Sequence, residues 1–216
     1  MAYFNRLPNI EFEERPLVFP FSEKDYVLAK NFFKRYKVTE SSYNFQNFFS
    51  EYNMTDEDRI DYLSYKFYNT SEFDWVILIT NNIINTYFDL PVKDVDLYEM
   101  VVKSYGNPDG IHHYETKEFK NSTGQLVLKA GLNVDATFYN GTYKYYNNGS
   151  VASVAGNTIS YPVTNYEYEL RLNNDKRKIY ILRPEFVQEF VDQFDAGMEY
   201  ARSSSYIDRT TKKAGI

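Results

Sequence analysis

The apolar residues of this chain recur mostly at helical spacing between Phe48 and Gly106 and at strand spacing from Gly124 to Leu182. Two periods kept in separate blocks describe an α+β fold. The first block carries the clearest punctuation. Phe49-Ser-Glu-Tyr-Asn alternates as a short strand. Thr55 and Asp58 then form a capping-box pattern, and Ile60, Leu63 and Phe67 fall at i, i+3 and i+7, which predicts a helix of about fourteen residues. Ser71 and Asp74 repeat the start signal, and Trp75, Leu78 and Ile79 supply one face of a second helix that Asn81-Asn82 ends. Leu90-Pro91 breaks the chain, after which Leu97, Met100, Val101 and Tyr105 mark a third helix closed by Gly106. A strand followed by two short helices makes a small core. Trp75 is its expected central plug, with Ile60, Leu63, Phe67, Leu78 and Ile79 around it.

The flanks read differently. Residues 1–21 hold Pro8, Pro16 and Pro20 and no clean period, which predicts an extended arm unable to bury its own Phe4, Ile10, Phe12 and Phe19. Ser22 with Asp25 opens an expected helix to about Tyr36, striped by Leu28, Phe32 and Tyr36. In the second block, residues 125–129 and 136–139 read as strands. Asn140-Gly141 gives a type I′ hairpin signal before a strand over 142–146, and Asn147-Asn148-Gly149 gives another turn. Residues 166–172 alternate, Asn173-Asn174-Asp175 reads as a turn, and 177–182 as a further strand. Pro184 suits the first position of a last helix, to about Arg202, in which Phe186, Phe190 and Phe194 align, flanked by Val187, Val191 and Met198. Residues 203–216 are polar and expected to be mobile. The expected organisation is thus an arm and helix over 1–47, a core over 48–119, a β-rich insertion over 120–182, and a C-terminal helix and tail over 183–216.

Composition narrows the function. The chain has no cysteine, so it holds neither a disulfide nor a thiolate metal site. Its longest strongly apolar run, 75–79, is far short of the roughly 20 residues of a membrane span, and the charged opening MAYFNRLPNIEFEERP lacks a signal peptide's apolar stretch. A cell interior is the expected address, so the five Asn-x-Ser/Thr triplets, beginning at Asn53, Asn69, Asn121, Asn140 and Asn148, are not read as glycosylation sites. Net charge is −6. Basic residues gather only at Lys34-Arg35-Tyr36-Lys37 and Lys212-Lys213, so nucleic acid is not an expected partner. The outstanding excess is aromatic, with Tyr 22 and Phe 17, and tyrosine is enriched at interfaces as well as in cores.

Chemistry is poorly represented. His112 and His113 are adjacent, and on a strand neighbouring side chains point to opposite faces and chelate badly. Asp56, Glu57, Asp58 and Asp61 cluster where acids stabilise a helix N-terminus. No P-loop and no dinucleotide-binding glycine pattern occurs. No catalytic, cofactor-binding or metal-binding residue is expected, and no small-molecule substrate.

The central segment also carries a resemblance. Tyr52, then DRIDYLSYKFYN (58–69), FDWVILITNNI (73–83), Leu90-Pro91 and Lys103-Ser-Tyr-Gly106 resemble the baseplate wedge subunit fifty-three family of T4-like phages. MAYFNRLPNI and Phe33-Lys-Arg35 are similar to openings in that family, whereas 120–182 matches none of its motifs. The resemblance implies a LysM-like strand–helix–helix core with arms and a C-terminal helix. It also implies a non-enzymatic place in the virion, assembled in the host cytoplasm, with six copies per baseplate joining neighbouring wedges around the hub. Its expected partners are other wedge subunits. Phe4, Ile10, Phe12, Phe19, Phe186, Phe190 and Phe194 are the expected contact residues. LysM modules bind N-acetylglucosamine glycans, so a second reading is a peptidoglycan- or chitin-binding module using Tyr52, Tyr62, Tyr65 and Tyr68.

Overall fold

The N-terminal segment is not an extended arm. In the computed structural model, which describes residues 2–13, 26–38 and 47–214, α1 (Ala2–Arg6) leads into β1 (Asn9–Glu13). Strand β1 pairs antiparallel with β2 (Tyr26–Lys30) and parallel with β13 (Thr211–Lys213), which pairs in turn with β12 (Tyr206–Asp208). The sheet order is β12-β13-β1-β2. Ile10 and Phe12 do alternate with charged neighbours, but the strands that complete this sheet come from elsewhere in the chain.

Two expectations fall with the arm. The helix toward Tyr36 is replaced by β2, and the Leu28, Phe32 and Tyr36 series shares no helical face. Asn31 ends the strand: its backbone N–H donates to the Pro8 carbonyl, and its side-chain oxygen accepts from the Phe33 N–H as a turn. The tail is also structured, with Asp208 Oδ1 accepting from the Thr210 N–H and hydroxyl to turn β12 into β13. Phe19, Ser22 and Asp25 lie outside the described residues.

The fold is α+β, with helices and several small sheets in two compact units, Met1–Leu90 with Arg177–Ile216, and Pro91–Lys176. The first unit contains β3 (Phe49–Asn53), α2 (Ile60–Tyr68), α3 (Asp74–Thr80) and β11 (Lys178–Leu182), and β11 runs antiparallel to β3 from Phe49↔Leu182 to Asn53↔Lys178. This is a strand–helix–helix–strand unit. Its closing strand arrives only after the whole second unit. Helix α2 has nine residues rather than about fourteen, because Asp58 turns back on Thr55. The Asp58 carboxylate accepts from the Thr55 N–H at 2.7 Å and hydroxyl at 2.9 Å, and the helix starts one residue after Arg59. Burial pushes the Asp58 carboxyl up, but the hydrogen bonds from Thr55 and Tyr52 outweigh it and hold it below the usual range.

Helix α3 is apolar all round because it packs on both sides. Trp75 and Val76 join Leu7, Leu182, Val187, Val191, Phe194 and Met198 in one cluster, while Ile77 joins Met54, Leu63, Ile179 and Ile181 in another. Trp75 is buried, 3 % exposed, yet it is not the plug of the strand–helix–helix core: it packs with Leu7, Leu182 and Phe194, and Ile77 takes that place beside Leu63. The face expected with Trp75 is corrected: Val76, Ile77 and Thr80 are buried, whereas Leu78 and Ile79 are half-buried. Asn81 ends α3 and ties it to the sheet. Its side-chain N–H donates to the Ile77 and Tyr180 carbonyls, and its oxygen accepts from the Tyr180 N–H.

The last helix, α8 (Val187–Met198), follows a 3-10 turn begun by Pro184 and stops short of Arg202. Its stripes exchange roles. Val187, Val191, Phe194 and Met198 form the buried stripe, and Phe186 and Phe190 sit half-buried on its shoulder.

The second unit holds α4 (Asp94–Tyr105), β4 (Ile111–Thr116), β5 (Phe119–Lys120), β6 (Leu126–Leu128), β7 (Asn133–Val134), α5 (Ala136–Asn140), β8 (Thr142–Asn147), β9 (Ser150–Ala155), α6 (Gly156–Ile159), β10 (Ser160–Thr164) and most of α7 (Asn165–Arg177). The inserted unit therefore begins at Pro91 and ends at Lys176. The third helix belongs to it, and the strand before Pro184 belongs to the first unit. Residues 136–139 are helical, not a strand, because Asp135 Oδ1 caps the helix by accepting from the Phe138 N–H. Gly141 closes that helix at φ −95°, and the two-residue hairpin turn falls instead at Asn148-Gly149, with φ 45° and 89°.

Residues 166–172 are also helical. Thr164 and Glu167 form a reciprocal capping box: the Thr164 hydroxyl accepts from the Glu167 N–H at 3.1 Å and the Glu167 carboxylate from the Thr164 N–H at 3.0 Å. The predicted turn at Asn173 lies inside this helix, where the buried Asn173 amide bonds both the N–H and the carbonyl of Val92 at 2.8 Å.

Candidate interaction surface

The phenylalanines expected to meet partners are placed unequally. Phe194 is fully buried in the chain's own core, with its ring centroid 4.8 Å from that of Trp75, so it offers no outer surface. Phe190 stands 6.3 Å from Trp75 and edge-on to Tyr36 at 6.0 Å, while Phe186 meets Phe48 edge-on at 4.8 Å. Both line a cleft of about 290 Å³, together with Tyr36, Val38, Phe48 and Leu182. Thus α8 seals the core with one stripe and leaves two rings at the edge of an open groove. Phe4 and Phe12 are 41 % and 38 % exposed, and Ile10 is half-buried in the N-terminal sheet.

A dense polar site lies in the second unit, and no sequence pattern announces it. Glu115 on β4 accepts from the Tyr161 hydroxyl of β10 at 2.6 Å and from the Arg171 guanidinium of α7 at 2.8 Å on both carboxylate oxygens. His113 Nε2 stands 3.1 Å away. Burial raises the Glu115 carboxyl, but these three partners outweigh it and bring it down to about 2. A carboxylate so firmly ionised is a weak general base near neutrality. What it does is clamp two strands and a helix together.

The two histidines also depart from expectation. Although consecutive on β4, their rings meet, with Nδ1 to Nδ1 at 2.9 Å, because His112 turns to stack on Tyr168 at 3.9 Å. Beside them the Tyr105 hydroxyl donates to Glu169 at 2.7 Å, and that bond, with burial, pushes the phenol up to about 12. Among the described residues no group of three or more His, Asp or Glu is placed to hold a metal ion. The acids near α2 have separate duties: Asp56 pairs with Arg177, Asp58 caps its turn, and Asp61 pairs with Arg59 at 3.0 Å.

The tyrosines of β3 and α2 divide likewise. Tyr52 donates to Asp58 at 3.0 Å and packs edge-on against Phe67, and Tyr68 is half-buried against Phe73. Tyr62 and Tyr65 are 57 % and 62 % exposed. Compared with known proteins, the chain matches no family model and no curated protein.

Proposed function

We propose that this protein is a structural subunit of a contractile phage tail baseplate, acting without catalysis in the wedge and joining adjacent wedges around the hub. One observation carries the reading. Most of the segment whose residues resemble the wedge family, Tyr52 through Ile83, folds with β11 into a strand–helix–helix–strand unit whose buried residues are Met54, Leu63, Ile77, Ile179 and Ile181. Its β3, α2 and α3 follow one another in the strand–helix–helix order that the resemblance implies, and β11 adds a further strand. The open groove at Phe186 and Phe190 supports it further, since partly exposed aromatics beside a packed core are common anchors of assembly interfaces. Its partners are other wedge subunits, and its place is the virion.

The test is co-expression with the other wedge proteins of the same tail, followed by size-exclusion chromatography and electron microscopy. Co-elution of the chain, with Phe190→Ala still folded but impaired in wedge joining, is the expected result. A chain that elutes alone from an otherwise complete wedge sinks the reading. The exposed Tyr62 and Tyr65 favour a second one, a LysM-type glycan-binding module, because sugar rings stack on open aromatic faces. Sedimentation with insoluble peptidoglycan, lost on replacing both tyrosines by alanine, would select it.

A further inference from the structure

A second cleft in the first unit has an unusual balance of donors. It encloses about 390 Å³, floored by Tyr3, Trp75, Leu78 and Ile79 and rimmed by Phe4, Phe32 and Ile84, the last two 66 % and 71 % exposed. Trp75 is 3 % exposed, yet its indole N–H finds no acceptor among the described residues.

Two cations line the same cleft, Lys34 and Arg35. The Arg35 guanidinium makes one long bond, 3.4 Å to the Asn82 carbonyl, and no carboxylate pairs with it among the described residues. Lys34 donates to a backbone carbonyl of Glu199 and lies 4.9 Å from the Tyr200 ring. Burial, with Lys212 nearby, holds its ammonium below the usual range. Asp74, the one acid among the described lining residues, accepts from the backbone N–H of Trp75 at 2.8 Å. Arg6, 5.8 Å over the Trp75 ring, is neutralised by Asp195. The described lining therefore sets two cations against one carboxylate, on a chain whose net charge is −6.

We infer that this cleft docks an extended acidic segment of a partner protein. A large apolar side chain of that segment seats on the Trp75 floor, and an adjacent carboxylate meets Arg35. Charge complementarity selects the acid. The exposed rim of Phe4, Phe32 and Ile84, with Phe33 next in sequence and 93 % exposed, is the kind of apolar surface that marks protein contact.

The test selects ligands for the isolated chain from a ribosome-displayed library of random dodecapeptides. The selected peptides are then synthesised and titrated, with the fluorescence of Trp75, the single tryptophan, as readout. The expected consensus places Asp or Glu beside an aromatic or large aliphatic residue, and binding shifts the Trp75 emission. Arg35→Glu and Phe32→Ala, both at exposed positions, each weaken binding by about tenfold or more, about 1.4 kcal/mol, as does exchanging the peptide's acid for lysine. Tyr62→Ala leaves it unchanged. The inference is overturned if no peptide is enriched, if the consensus lacks an acid, or if binding survives both variants. It is also overturned if phenylacetate reproduces the shift while no peptide is selected, or if the chain self-associates through the cleft and Phe32→Ala abolishes that. None of these results bears on the baseplate reading, which is judged on co-expressed wedge proteins.

Discussion

At the scale of single residues, Trp75 and Glu115 show two ways in which one side chain organises its surroundings. Trp75 is a volume effect: its ring lies within 6.3 Å of Tyr3, Phe190 and Phe194, and no small residue fills that space. Trp75→Ala is expected to cost about 3–5 kcal/mol, measured by urea unfolding followed by far-ultraviolet circular dichroism. Unchanged stability would place the ring outside the core. Glu115 is an electrostatic effect. Its carboxyl is lowered from the usual 4.5 to about 2, so it stabilises the folded state wherever it is ionised. That contribution is complete above about pH 4.5 and is lost as pH falls through about 2. Glu115→Gln is expected to speed amide exchange in β4 and β10 at neutral pH, and to flatten the acid-dependent rise in exchange over that window. A variant with the wild-type acid profile would show that the clamp at Arg171 and Tyr161 adds no stability.

At the scale of elements, a short polar motif can override apolar periodicity in setting what a segment becomes. The alternation of Tyr166, Tyr168, Leu170 and Leu172 suggests a strand, but the Thr164–Glu167 box satisfies N–H groups that a helix start otherwise leaves open. The sequence Thr-Asn-Tyr-Glu contains that signal in full. The same holds for Asp135, which caps α5 and so moves the hairpin turn to Asn148-Gly149. Gly156 shows the limit of such motifs. A Cβ there would stand 1.9 Å from the Phe138 carbonyl oxygen and 2.8 Å from that of Tyr139, a backbone approach no neighbouring pattern announces. Gly156→Ala is accordingly expected to force α5 and α6 apart and lower the melting temperature of the second unit. Wild-type melting would mean that the two segments separate at no cost.

At the scale of the whole molecule, the first unit is assembled from distant pieces. Strand β1 relies on β13 for its parallel partner, and β3 relies on β11 beyond the inserted unit. Removing residues 203–214 is therefore expected to leave β1 and β2 as a two-stranded ribbon, marginal by itself in water. Amide exchange of Asn9–Glu13 should then rise sharply while β3 and β11 stay protected. Unchanged protection of β1 would show that β2 alone holds it.

Legibility follows the range of each interaction. Readable from the residues themselves were the α+β class, the strand at Phe49–Asn53, the stops at Asn81 and Gly106, the turn at Asn148-Gly149 and the buried place of Trp75. Each rests on hydrogen bonds or apolar spacing within a few turns of chain. Tertiary structure alone decided that Ile10 and Phe12 lie in a sheet, that Val187, Val191, Phe194 and Met198 turn inward while Phe186 and Phe190 sit at the edge, and that Glu115 meets Arg171. Those outcomes depend on which distant surface is present to be buried or paired. Strand partners and long-range ion pairs are chosen by what the rest of the chain brings to them, which no local pattern encodes.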